Sequence, residues 1–301
     1  MSAIPFVRQF EFEYGKVAQL SPLVRRVVAD NPGPFTYTGT GVYIVGTDEV
    51  CVIDPGPTSE AHMAAIDAAL EGLTVTHILV THHHLDHSPL AAPLAAKHGC
   101  KVYGYGIQSP LPENGEMRLE AGDDLSFQPD IEVADGDIIK GKDWTIEAIH
   151  TPGHTSNHMC YALAEENLLF SGDHIMGWST TVISPPDGDM GDNLDSLQRV
   201  LERDFDIIWP THGPAIKDVR TFVQSYIDHR FKREAQILDA ISGGKSTIME
   251  MVAAMYVDVD KRLHPAAAHS VLAHIIHMVK TGRVLCDGNP SLRAAYSLPP
   301  G

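Results

Sequence analysis

Apolar positions along the chain fall into short β-branched runs divided by turn residues, with a few longer stretches at helical spacing between them, so the pattern predicts an α/β protein. Residues 6–26 carry weak strand signals broken by Gly15 and Pro22, and Asn31-Pro32-Gly33-Pro34 is a turn. Residues 39–46 and 49–54 read as a hairpin around Thr47-Asp48. Ser59 then caps a helix over 60–70 whose Met63, Ile66 and Leu70 share a face. A buried strand at 75–80 runs through a tight loop into an Ala/Leu-rich helix at 88–98, followed by a short strand at 101–105. Residues 107–130, rich in Pro, Gly and acids, form a long irregular segment, either an active-site lid or a solvated surface insertion. A strand pair follows at 138–149, turning near 140–143, then strands at 158–164 and 167–171. Asp192 or Asn193 caps a helix reaching Arg203, and 206–210 is a last strand.

The pattern changes after about Lys217. Helices at 219–241, 246–256 and 265–280, a short strand at 283–286 and a Pro/Leu-rich tail, disordered or strapped onto the body, make a winged-helix-like outline. The expected division is therefore 1–216 and 217–301.

Composition narrows the class. With 301 residues and 44% apolar positions, the chain has enough material for one large domain and a small appendage. The net charge of −17 lies wholly in the first 233 residues, where 16 basic residues face 33 acidic ones. Such a body repels polyanions, which weighs against nucleic acid as a partner. No apolar run reaches the roughly 18 residues of a membrane span, and no basic flank leads into an apolar core at the N-terminus. Cys51, Cys100, Cys160 and Cys286 form no Cys-x-x-Cys pair and read as buried hydrophobes of a reducing compartment, so the expected address is the cytoplasm.

The chemistry is concentrated in the loop Thr81-His82-His83-His84-Leu85-Asp86-His87. A spacing of two puts His82 and His84 on one side of an extended segment, and Asp86 and His87 turn to a second point as the helix begins. Two pairs of nitrogen and oxygen donors suit two adjacent metal ions. Further donors stand where strands end: His154 after Thr151-Pro152-Gly153, Asp173 in Ser171-Gly172-Asp173-His174, and His212 in Pro210-Thr211-His212-Gly213. Asp54 is either a turn residue or a hydrogen-bond partner behind a metal-bound His. His83, His158 and His174 neighbour these donors as supporting or substrate-facing groups, and Trp178 is either a substrate wall or ordinary packing. Gly243-Gly244-Lys245-Ser246 is a helix end rather than a phosphate loop, because a helix precedes it and Asp239 occupies the first Gly position. His264, His269, His274 and His277 are accompanied by no acidic or Cys partners and read as a surface or interface stripe.

His82-x-His84-x-Asp86-His87 with His154, Asp173 and His212 resembles the metallo-β-lactamase superfamily over about residues 35–215. The resemblance implies an αββα sandwich. It also implies one metal held by His82, His84 and His154, a second held by Asp86, His87 and His212, and Asp173 bridging them. Thr151–Asn157 with His158, the Ser171–His174 motif and Thr180-Thr181-Val182 narrow the resemblance to the subfamily of the β-lactamase-like protein 2, whose members carry a winged-helix-like tail. Two departures stand out: Asn193 replaces a frequent Tyr, and Thr211 replaces the commoner Gly before the His.

The activity so implied is that of a binuclear hydrolase in which a metal-bridging hydroxide cleaves an ester, thioester or related acyl bond, with Asp86 orienting the water or taking its proton. Zn2+ suits the His/Asp set, with Fe or Mn as alternatives. Competing readings are a single-stranded RNA endonuclease, a β-lactam hydrolase and a non-catalytic binding module. A small acyl substrate is favoured over RNA, because residues 234–301 carry six basic residues balanced by six acidic ones. The apolar face of the last helix, with Val271, Leu272, Ile275 and Ile276, needs a cover from the body or from a second copy in a homodimer.

Overall fold

A computed structural model of the chain describes residues 4–107, 122–257, 260–261 and 264–300. The 107–130 segment, read as either a lid or a surface insertion, thus lies largely outside the described residues. Two sheets stack face to face between helices. The first has seven strands in chain order: β1 (Ala18–Gln19), β2 (Val24–Val28), β3 (Gly41–Val45), β4 (Glu49–Ile53), β5 (Thr74–Leu79), β6 (Lys101–Gly104) and β7 (Ile131–Glu132). It is antiparallel through β4 and parallel beyond, because α1 (Glu60–Ala69) and α2 (Ala91–His98) supply the crossovers between β4, β5 and β6. The second runs β12 (Ile207–Pro210), β11 (Leu168–Gly172), β10 (Met159–Leu163), β9 (Thr145–His150), β8 (Ile138–Lys140).

Alternation along the strands assigns the layers. Tyr43, Val45, Cys51 and Ile53 of the first sheet meet Ile146, Met159, Tyr161 and Phe170 of the second in the central core. Val42, Ile44, Val50 and Val52 face the other way, onto Ile66, Leu70 and Leu94 of α1 and α2. Cys160, Ala162 and Leu169 face α3 (Met190–Leu201) and α4 (Val219–Ser242) through Leu197, Val200, Phe222 and Val223. The result is the αββα order expected from the sequence.

Two tyrosines of the central core reach across the sandwich to the strand ends that precede the donor loops. Tyr161 donates to the Val80 carbonyl at 2.8 Å, just ahead of Thr81-His82. Tyr43 donates to the Pro210 carbonyl at 2.6 Å, just ahead of Thr211-His212. A buried carbonyl left without such a donor costs about 1–3 kcal/mol, so these contacts hold both loops in register with the sheets.

Beyond the sandwich, α4 serves two cores. Its first half packs on α3, while Ile237 and Ile241 join α5 (Ile248–Met255) and α6 (His264–Lys280) in a separate cluster. There Val271, Leu272 and Ile275 are covered by the chain's own α4 and α5. The tail is tied down as far as Ser297: β13 (Leu285–Cys286) pairs with β14 (Tyr296–Ser297), and the buried Tyr296 donates its amide to the Ser246 carbonyl at 2.8 Å.

Several local expectations need correction. Helix α3 begins at Met190, because the Asp189 carboxylate caps it by accepting from the amides of Gly191 and Asp192, three residues or more before the expected cap. The short strands β2 and β7 are not separable from their surroundings by pattern. His269 and His274 are buried rather than surface residues, and an acid does accompany two of the four histidines: Glu234 of α4 lies 3.6 Å from His274 Nδ1 and 3.9 Å from His277 Nε2, and pairs with Arg283 at 2.6 Å.

Candidate metal centre

The donor loop between β5 and α2 stands at one edge of the two sheets, and the ends of β9, β11 and β12 deliver the remaining donors to it. His82 Nε2 is 2.9 Å from His84 Nδ1, which is 3.2 Å from His154 Nε2. Asp86 Oδ2 is 3.1 Å from His212 Nε2 and 3.6 Å from His87 Nε2. Asp173 stands between the two trios, with Oδ2 3.6 Å from His87 Nε2 and 3.8 Å from His154 Nε2, and Oδ1 3.5 Å from His212 Nε2. Three overlapping groups of donors lie within 4.8 Å of one another: His82, His84 and His154; His82, His87 and Asp173; Asp86, His87 and His212. Ligands about 2.0–2.2 Å from a tetrahedral ion sit roughly 3.3–3.5 Å apart, and the separations here, from 2.9 to 3.8 Å, straddle that range.

Each histidine has its outer nitrogen engaged elsewhere, which fixes the ring with the other nitrogen facing the centre. His82 Nδ1 meets the Thr81 hydroxyl at 3.0 Å, and His87 Nδ1 meets Asp54 Oδ2 at 2.9 Å. His154 Nδ1 donates to the Val182 carbonyl at 2.8 Å, and His212 Nδ1 to the Gly39 carbonyl at 3.2 Å. His84 is reversed, with Nε2 3.4 Å from Asp123 Oδ1. Sequence reasoning missed Asp123, which sits at the far end of the irregular segment and bridges back to His84 through the backbone.

The charge distribution fits divalent cations. His87 Nε2, Asp173 Oδ1 and His212 Nε2 are buried and none is aligned for a hydrogen bond, although all converge on one space. Burial alone would discharge His212, but the Asp173 and Asp86 carboxylates push it up to about 10. Burial likewise opposes charge on His87, yet Asp86, Asp173 and Asp54 hold it well above its ordinary range. Conversely, burial together with the neighbouring His87 and His84 keeps His82 well below its ordinary value, neutral and able to offer a lone pair. The buried carboxylates thus recruit positive charge, which divalent ions would supply in place of protons.

The other candidate residues separate by position. Asp54 is fully buried and accepts from the Thr81 amide and hydroxyl, each at 2.8 Å, and from the Thr211 hydroxyl at 2.9 Å as well as facing His87. His158 Nε2 accepts the Asp173 amide at 3.1 Å, and burial keeps this ring well below its ordinary pKa, as an acceptor must be. Gly172 (φ +52) makes room for it, since a Cβ there would stand 2.6 Å from His158 Nε2. His83 is held by Asn157 Oδ1 at 2.8 Å, a contact that sequence reasoning also missed. His174 does not reach the pocket: burial against α3, with Asn193 Nδ2 3.4 Å away, drives it down to about 3. Asn193 is itself fully buried, its backbone packed under Gly153.

A pocket of about 170 Å³ opens above the centre. His84, Asp86, His154 and Asp173 form its floor; Pro34, Phe35, Met176, Trp178 and Val182 form its walls, with Ser179 and Thr180 between. Trp178 stacks on Tyr37 with ring centroids 4.9 Å apart. Among the described residues, no Lys or Arg lines it.

Residues 37–212 match the family model of the metallo-beta-lactamase superfamily, and residues 247–290 that of the beta-lactamase associated winged helix domain. The chain is 31% identical to the beta-lactamase-like protein 2 homolog of Caenorhabditis elegans over 277 residues, covering 89% of this chain and 88% of that one. It is 32% identical to an atrochrysone carboxyl ACP thioesterase of Claviceps purpurea over 235 residues, covering 76% and 68%. The crystal structure of a metallo-beta-lactamase family protein from Thermus thermophilus superposes with a TM-score of 0.74 at 21% identity, over 93% of this chain and all of that one. The chain belongs to the metallo-β-lactamase superfamily and is a hydrolase of that superfamily with an associated winged helix domain.

Proposed function

We propose that the protein hydrolyses an acyl thioester or ester with two divalent ions, most simply Zn2+, and that residues 1–216 carry this chemistry while 217–301 support it. The observation that carries the reading is the pair of donor trios with Asp173 between them, 3.8 Å from His154 of one and 3.5 Å from His212 of the other, a layout with one position for each ion. His82, His84 and His154 would hold one, Asp86, His87 and His212 the other. When bound, the ions would polarise the attacked carbonyl and acidify a water toward neutral pH. Five imidazoles and two carboxylates suit zinc.

The chain's own groups do the rest. Asp86 faces the pocket and is held well below the ordinary carboxylate range, where His87 and His212 outweigh the cost of burial. It stays ionised and orients a water by accepting its hydrogen bond. The Phe35, Met176 and Trp178 walls take an apolar acyl group and exclude bulk water.

An acyl bond is favoured over the phosphodiester of a polynucleotide because no Lys or Arg among the described residues lines the pocket to hold the flanking phosphates. The thioesterase relatives, named for acting on an acyl carrier protein-linked substrate, point the same way. The test is turnover of zinc-loaded protein on an aromatic acyl thioester and on a single-stranded RNA, with Asp86→Ala as control. Thioester cleavage that disappears in the control is expected. Cleavage of RNA alone, weakened by salt, would overturn the acyl reading.

A further inference from the structure

Helix α4 lies between the two matched segments, outside both. We propose that two of its residues, Tyr226 and Arg230, are positioning residues for the metal centre: they fix the loop at 176–182 and, through the Val182 carbonyl, the ring of His154. This rests on His154 being a metal ligand.

Tyr226 is fully buried and its hydroxyl closes the loop on itself. It accepts from the amides of Met176 at 3.3 Å and Thr181 at 3.1 Å, and it faces the carbonyls of Met176 at 3.2 Å and of Ser179 as a donor. One oxygen therefore ties together both ends of the segment that supplies Met176, Trp178, Ser179 and Thr180 to the pocket wall. One helical turn on, on the same face, Arg230 Nη2 donates to the Thr181 carbonyl at 2.7 Å.

The Arg230 guanidinium is an uncommon one. It is 3% exposed, its Nε has no hydrogen-bond partner, and no carboxylate among the described residues pairs with it. A buried charge so placed opposes folding, and a Met of similar length would fill the volume without that cost. What a Met could not do is hold the Thr181 carbonyl. With Thr181 gripped at its amide by Tyr226 and at its carbonyl by Arg230, the next carbonyl, Val182, has a set direction. It receives His154 Nδ1 at 2.8 Å, which leaves His154 Nε2 aimed at His84 Nδ1 and Asp173. Partners of this kind behind a ligating His commonly change metal affinity by about 10–100-fold.

The experiment follows the rate of zinc loss to a chromogenic chelator, alongside thermal melts, for the full chain and the variants Tyr226→Phe, Arg230→Met, Arg230→Lys, Val223→Ala and His154→Ala. Tyr226→Phe removes one oxygen from a retained ring, so it stays folded even if Arg230→Met does not. Tyr226→Phe and Arg230→Met are expected to lose zinc about tenfold faster or more, with Arg230→Lys between them and the unaltered chain. Val223→Ala, which trims the buried face of α4 without touching the loop's hydrogen bonds, is expected to lower the melting temperature and leave the zinc rate alone. Wild-type rates in Tyr226→Phe, or an equal acceleration in Val223→Ala at the same loss of melting temperature, would overturn the proposal. If His154→Ala holds zinc like the unaltered chain, the ligand assignment fails instead, and the two failures are told apart.

Discussion

His87 and Asp54 stand 33 residues apart in the chain and 2.9 Å apart in the structure, the imidazole Nδ1 against a carboxylate oxygen that also receives hydroxyls from Thr81 and Thr211. One buried carboxylate thereby joins the ends of β4, β5 and β12 and turns His87 Nε2 toward the proposed metal positions. Asp54 adopts φ +48 to do so, a strained conformation for a residue with a side chain.

Asp54→Asn keeps the shape and removes acceptor capacity facing donors on three segments. Metal affinity is expected to fall about 10–100-fold and stability by about 1–3 kcal/mol. Competition with a chelator of known affinity and thermal melts of the metal-free protein measure the two effects separately. An unchanged affinity would mean that His87 is not held through Asp54.

Removing Asp86 takes away both a proposed ligand and the group that orients the water. Asp86→Ala is expected to reduce kcat/KM on an acyl thioester by about 100-fold or more, and zinc analysis should show one site weakened while the other keeps its ion. Loss of both ions together would argue against two separable sites.

Gly153 precedes His154 and has φ +137, where a Cβ would stand 2.5 Å from the Asn193 Cα. The obstacle is the backbone of α3, which cannot rotate away. Gly153→Ala is expected to cost about 1–3 kcal/mol and to loosen zinc at the same time, since the displaced residue carries His154 with it. Denaturant melts and metal content read both.

His274 titrates in a pH window that stability should reflect. Burial lowers it to about 4 against the pull of the Glu234 carboxylate, whereas the unfolded chain titrates near its ordinary 6.5. Between these values the unfolded state binds the extra proton, so stability falls as pH drops from about 6.5 toward 4, by at most about 3 kcal/mol from this group. His277 and Arg283 also face Glu234, and Arg230 and Arg233 add positive charge near His274 that opposes its protonation. His274→Leu should flatten this part of the stability–pH curve, as followed by urea melts at stepped pH; an unaltered slope would assign the acid sensitivity elsewhere.

Most strands and helices of the sandwich were legible in the chain because their cause is local, whereas the αββα stacking was what the family resemblance implied. Alternating β-branched residues face two sides of a strand, and the strand-to-helix turn at 81–88 carries four donors within a span too short to separate them. The winged-helix outline was legible for the same reason, through helical periodicity and a Gly-terminated last helix. The far partners were not. Asp123 behind His84, Asn157 behind His83 and the Val182 carbonyl behind His154 are contacts across long loops, and a backbone carbonyl leaves no mark in a sequence. The buried state of His274 depended on Glu234, forty residues earlier, arriving through the packing of α4 on α6. Residue type and spacing determined which groups could bind metal. Only the tertiary structure decided which nitrogen of each ring faces inward, because that choice belongs to whatever accepts a hydrogen bond on the ring's other side.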